Sequence, residues 1–125
     1  MKKSVLVCAA ALVGAAFGGA AMQIARAAER PAAYMVVEYE ITDRDAFQAY
    51  IKGANALPTS RVFLARHAKA TALSGAAPTW VGILKYPSLE DALAFENSPE
   101  YQALIATRDK GARWRAYVIE GLPPN

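Results

Sequence analysis

Alternation of apolar and polar side chains marks a strand with one wet face, and recurrence every three or four residues marks a helix lying on a core. From residue 34 onward the chain shows one pattern and then the other. Tyr34 to Ile41 is rich in β-branched and aromatic residues and is predicted as a first strand. Thr42 and Asp45 follow in capping-box spacing, with Thr42 expected as the N-cap, and Phe47, Tyr50, Ile51 and Ala54 recur as one helical stripe. Pro58-Thr59-Ser60 closes that helix. A second strand is expected from Arg61 to Arg66, with Thr71 to Gly75 continuing it past an irregular middle around Ala68 to Ala70. After the Ala76-Ala77-Pro78 turn, Trp80 to Tyr86 reads as a third strand, which Pro87 stops. Ser88 and Asp91 open a second helix with Leu89, Ala92, Leu93 and Phe95 on its apolar side. Ser98-Pro99-Glu100 restarts it, since Ser caps, Pro at the first position gives up no needed N–H, and Glu suits the positive helix end. Tyr101, Leu104 and Ile105 form the stripe of this segment, Gly111 is its expected C-terminal cap, and Arg113 to Glu120 is a fourth strand.

The order β-α-β-β-α-β predicts an α+β fold of the ferredoxin-like type, a four-stranded antiparallel sheet with helices on one face. A sheet covered on one side only should alternate cleanly, and these strands do not. In the first, Met35, Val37, Tyr39 and Ile41 oppose Tyr34 and Val36 before Glu38 and Glu40 restore polarity; in the third, Trp80, Leu84 and Tyr86 oppose Val81 and Ile83; in the fourth, Ala116 and Val118 oppose Tyr117 and Ile119. The helices can cover one face, so the other needs a cover from outside. A second copy of the chain in a two-fold homodimer is the expected cover; the alternative is a monomer that offers the patch to a different partner.

The first 27 residues follow a different logic. Lys2 and Lys3 precede an apolar run from Val5 to Val13, and Ala25-Arg26-Ala27 places small residues where a signal peptidase reads, so an export signal cleaved after Ala27 is expected. The competing reading, an uncleaved anchor, is disfavoured by Gly14, Gly18 and Gly19. A short linker (28–32), the folded domain (33–121) and a tail (122–125) complete the organisation, and the expected destination is the periplasm or the exterior. Cleavage takes Lys2, Lys3 and Arg26 from the 14 basic residues and none of the 11 acidic ones, so the net charge of +3 belongs to the targeting segment. The balanced remainder carries no footprint for nucleic acid or, after cleavage, for a membrane. Cys8 leaves with the signal, which removes disulfides and cysteine-based metal or redox chemistry. A domain of about 98 residues must then rest on its apolar core alone.

Candidate chemistry is sparse. His67, the single histidine, is a candidate general base or otherwise a solvated strand-end residue. Glu38 and Glu40 share one side of the first strand, either solvated beyond the apolar patch or buried with Arg66, Lys85 or Arg115 as partner; buried, Glu38 is a candidate base with a raised pKa. Tyr34, Trp80 and Tyr117 are candidates to line a pocket or to serve as plain core, and the Tyr101 hydroxyl is a candidate polar end of a cavity. No Gly-x-Ser-x-Gly elbow, phosphate-cradling glycine loop, RNA-binding signature or metal-ligand spacing occurs, so neither a metal nor a cofactor is expected.

Ala33-Tyr34-Met35-Val36-Val37 ending in Ile41-Thr42-Asp43, Lys85-Tyr86-Pro87-Ser88-Leu89-Glu90-Asp91-Ala92, Asn97-Ser98-Pro99-Glu100-Tyr101-Gln102-Ala103-Leu104 with Arg108 after it, and the ending Val118-Ile119-Glu120-Gly121 together resemble the DUF1330 family. The resemblance implies a ferredoxin-like dimeric α+β barrel and no particular reaction. The wider superfamily includes cofactor-free monooxygenases, muconolactone isomerases and haem-handling enzymes, which by analogy implies a small-molecule cavity between sheet and helices. The chain departs from the family pattern at Thr59-Ser60 and His67-Ala68, where glycine pairs are common, and at Ser74, where an acidic residue often precedes the glycine. The expected function is that of an exported homodimer that binds a small organic molecule or serves as a structural dimer. The alternative is a cofactor-independent enzyme with Glu38 or His67 as base, Arg66 as anion holder and Trp80 as apolar wall.

Overall fold

The computed structural model describes residues 30–125; the export segment, its cleavage position and Cys8 lie outside the described residues. The elements run β1 (Ala33–Ile41), α1 (Arg44–Ala56), β2 (Val62–Ala68), β3 (Trp80–Tyr86), α2 (Leu89–Glu96), α3 (Pro99–Gln102), α4 (Ile105–Gly111) and β4 (Ala112–Glu120). The strands form one sheet in the order β2-β3-β1-β4, antiparallel throughout. β1 and β2, joined through α1, leave a gap that β3 fills, which is the split βαβ arrangement of a ferredoxin-like sandwich.

Strand alternation sorts the side chains into two layers. Met35, Val37 and Tyr39 of β1, with Leu84 and Tyr86 of β3, turn toward the helices and are buried with Phe47, Tyr50, Phe95 and Tyr101. The other face carries Tyr34 between Lys85 and Ile119, Val36 between Ile83 and Tyr117, and Glu38 between Val81 and Arg115. No helix covers it. Val62, Leu64, Tyr117 and Ile119 remain 58%, 56%, 43% and 55% exposed.

Local signals set most boundaries. Ser88 Oγ accepts the Asp91 N–H and donates to the Asp91 carboxylate, and Ser98 Oγ accepts the Tyr101 N–H. Four expectations need correction. The N-cap of α1 is Asp43, whose carboxylate accepts the Ala46 N–H at 3.1 Å, whereas the Thr42 hydroxyl donates to the Lys110 carbonyl and ties the helix start to α4. β2 ends at Ala68, and Thr71 to Gly75 is loop, because Ala68 already pairs with Val81 and β3 begins one residue earlier, at Trp80. The segment after Ser98 is two helices, broken where the Leu104 N–H turns to the carbonyl of Tyr101, three residues back. Gly111 caps nothing in a left-handed turn; it is the last residue of α4 and is small because the backbone of Ala46 and Phe47 lies against it.

That last contact places α1. The Gly111 carbonyl accepts the N–H groups of Thr42 and Asp43, and a Cβ on Gly111 would stand 2.5 Å from the Phe47 nitrogen. Gly53 likewise lies under the Leu104 side chain. α1 is thus seated on α4, and it meets the sheet through large rings: Phe47 stacks on Tyr39 at 5.3 Å and Tyr50 meets Trp114 edge-on at 5.4 Å. The space those rings do not fill is the cavity described next.

Candidate functional site

Between α1 and the helix-facing side of the sheet lies a cavity of about 420 Å³. Its apolar wall is built by Met35, Val37 and Tyr39 of β1, Phe47 and Ile51 of α1, Phe63 of β2, Leu84 of β3 and Trp114 of β4. Gly82 keeps the floor open. It pairs with Val37, so a side chain there would point toward the helices, and its Cβ would find only the Ala65 carbonyl at 3.8 Å and the Val37 Cβ at 4.0 Å.

Polar groups enter this wall at a few points. On β2 the pairing with β3 jumps from Ala65 to Ala68, and His67 takes a positive φ of 47°. In a regular strand Arg66 and His67 would face opposite sides; the bulge lets both line the cavity. His67 is then held from two directions: its Nδ1 lies 2.8 Å from the Tyr39 hydroxyl, and its ring stacks on Trp80 at 3.8 Å and 17°. Burial raises the Tyr39 pKa, so its hydroxyl keeps its proton at neutral pH and is free to donate to Nδ1. When it does, the neutral imidazole carries its own proton on Nε2.

At the other end, the Tyr50 and Tyr101 hydroxyls bond at 2.9 Å, and the Arg108 guanidinium approaches Tyr101 at 3.5 Å. Burial pushes the Tyr50 pKa far above the usual phenol value. Glu96, at the end of α2, lines the same region; burial raises its carboxyl, and Arg108 and Arg61 offset part of that rise. Arg61 donates to the Ala54 carbonyl at 3.1 Å and lies over the Phe95 ring at 4.4 Å. Among the described residues no three of His, Cys, Asp and Glu gather in one place.

The candidate residues thus fall in two groups. Arg66, His67 and Tyr101 line the cavity, and Trp80 reaches it through His67. Glu38, Tyr34 and Tyr117 lie on the opposite face. Arg115 is the cation that reaches Glu38, at 3.4 Å, and Arg113 pairs with Glu40 at 2.9 Å. Tyr39, Arg61, Gly82 and Glu96 had no distinguishing mark in the sequence: each belongs to the site through a cross-strand or helix–sheet neighbour distant in the chain.

The family profile described as "Domain of unknown function (DUF1330)" matches residues 32–122. This chain belongs to the DUF1330 family. Solved structures share its fold. A protein of unknown function from Rhodopseudomonas palustris, RPA0582, is 18% identical with a TM-score of 0.58, covering 76% of this chain and 85% of its own. SnoaB, a cofactor-independent oxygenase from Streptomyces nogalater, is 9% identical with a TM-score of 0.53, covering 74% of this chain and 94% of its own. At such identities the likeness concerns the ferredoxin-like fold alone. Curated proteins give no match. The DUF1330 domain of this chain therefore carries its functional argument in its own residues.

Proposed function

We propose that this DUF1330 protein is an exported homodimer that binds a small organic molecule between its sheet and α1. The cavity carries the reading: about 420 Å³ of space, mostly apolar walls, a few polar groups at its rim, and a glycine where any side chain would intrude. The dimer rests on the uncovered sheet face. Each large apolar side chain hidden there by a second copy contributes about 1.5–3 kcal/mol, and a two-fold pairing of like faces hides those of both copies together. Export rests on the basic start, the apolar run and the small residues at Ala25 and Ala27.

Mass spectrometry of the natively purified protein under non-denaturing conditions tests the three parts together. A dimer of chains that begin at Ala28, with an extra small-molecule mass, is expected. Gly82→Leu should lose the extra mass and stay dimeric, since its side chain occupies the cavity floor. A monomer, or a retained molecule that survives Gly82→Leu, overturns the reading.

A second reading is favoured by one contact, that between the Tyr39 hydroxyl and His67 Nδ1 at the edge of the cavity. With Nδ1–H donating to the Tyr39 oxygen, the Nε2 lone pair is left free, and His67 is then the base of a cofactor-independent reaction of the kind SnoaB is described as performing. Glu38 has no part in it, because it lies on the far side of the sheet. Conversion of the retained molecule that persists in His67→Gln rules this reading out.

A further inference from the structure

The cavity has a charge pattern that its apolar walls do not require. Arg44, Arg61 and Arg66 all line it, and Glu96 is the one acidic residue that does. None of the three guanidiniums lies within salt-bridge distance of a carboxylate among the described residues, whereas Arg108 pairs with Asp109, Arg113 with Glu40 and Arg115 with Glu38. Arg44 and Arg66 are exposed and Arg61 is half-buried, so the cavity opens to solvent past positive charge.

Two of the three are also held in a posture suited to an anion. The Arg66 guanidinium lies 3.8 Å from the centre of the Phe63 ring, and Arg61 flanks the same ring at 5.5 Å. A guanidinium resting on an aromatic face has its cationic face occupied and its N–H edge turned outward, and that edge matches a carboxylate with two parallel hydrogen bonds. Arg61 uses one of its nitrogens on the Ala54 carbonyl, and Arg66 makes no hydrogen bond to a described residue. Beyond Phe63 the wall turns apolar at Leu84, Val37 and Met35, over the open floor at Gly82.

We infer that the cavity takes a planar organic carboxylate, its ring over Gly82 and its carboxylate against the N–H edges of Arg61 and Arg66. The inference rests on the cavity reading above and narrows it to one ligand class. A neutral apolar ligand would fill the same space and leave the arginines unanswered. A phosphate-sized anion would meet the arginines and leave the apolar floor wet.

Calorimetric titration of the purified protein with 2-naphthoate and with its uncharged isostere 2-naphthamide tests it. The acid should bind at least about tenfold more tightly than the amide, the worth of one charge-assisted pair. Arg61→Gln and Arg66→Gln should each shrink that preference, Arg66→Gln being the cleaner variant because its side chain makes no hydrogen bond to a described residue. Lys52→Gln, an exposed cation of α1 outside the cavity, should leave the preference intact. Equal binding of acid and amide overturns the carboxylate assignment and leaves the cavity standing, as does a preference that survives in both arginine variants. Binding of neither probe overturns the assignment and the cavity reading with it.

Discussion

Three tyrosine hydroxyls lie buried in the layer between sheet and helices, and their surroundings give them opposite values. Tyr50 and Tyr101 share a hydrogen bond of 2.9 Å, whereas the Tyr86 hydroxyl, on a residue 1% exposed, has no hydrogen bond of good geometry. Burial pushes the Tyr86 phenol up, and Arg61 nearby offsets only part of that. Tyr50→Phe should therefore cost about 1 kcal/mol, because it removes the short buried bond and leaves the Tyr101 oxygen only the longer contact from Arg108, whereas Tyr86→Phe should leave stability unchanged or raise it by up to about 1 kcal/mol. Urea unfolding midpoints of the two variants check the signs, and equal losses would contradict the assignment. Glu96 gives a pH dependence with a definite sign. Its folded-state pKa lies above the ordinary 4.5, so between that value and the raised one the folded state holds more proton than the unfolded chain. Stability should fall as pH rises through that window, and Glu96→Gln should flatten the dependence and raise the melting temperature at neutral pH. Thermal melts across the window measure it; parallel curves for the two proteins would refute it. At this scale the sequence named Arg66 and His67 by type, but that neighbours in a strand share a face was decided by the bulge, which has no local residue signature here.

The helices show how far local chemistry carries. Ser88, Ser98 and Pro99 act where a reading of nearest neighbours puts them, because a cap is a contact between residues three apart. Asp43 displaced Thr42 as the α1 cap because Thr42 is engaged with the Lys110 carbonyl, 68 residues on. Gly111 follows the same rule. A cap reading rests on its position after a helix, yet its smallness answers to the backbone of α1 pressing on it from another part of the chain. Gly111→Ala should cost about 1–3 kcal/mol, since the atoms in the way are backbone and have little room to yield. A chemical denaturation midpoint lowered at an unchanged slope is the expected result. Because this contact also seats α1 above the cavity, a substitution that left stability intact would show that α1 can shift, and the cavity with it.

For the molecule as a whole, the two faces of the sheet do different work. One is closed by the helices except for the cavity; the other runs from an apolar end with Tyr34, Val36, Ile83, Tyr117 and Ile119 to a charged end where Arg115 and Arg113 pair with Glu38 and Glu40. The strands, their order along the chain, the helix stripes apart from Leu93, which is exposed, the family and the surplus of apolar sheet surface were determined by sequence alone, because each is a matter of periodicity or short-range composition. The β2 bulge, the break between α3 and α4, the face on which Glu38 lies and the gathering of Tyr39, Arg61, Gly82 and Glu96 around one cavity were decided only by the tertiary structure. Those depend on the register between strands and on how far α1 stands from the sheet, and both are set by contacts between residues that the chain itself keeps far apart.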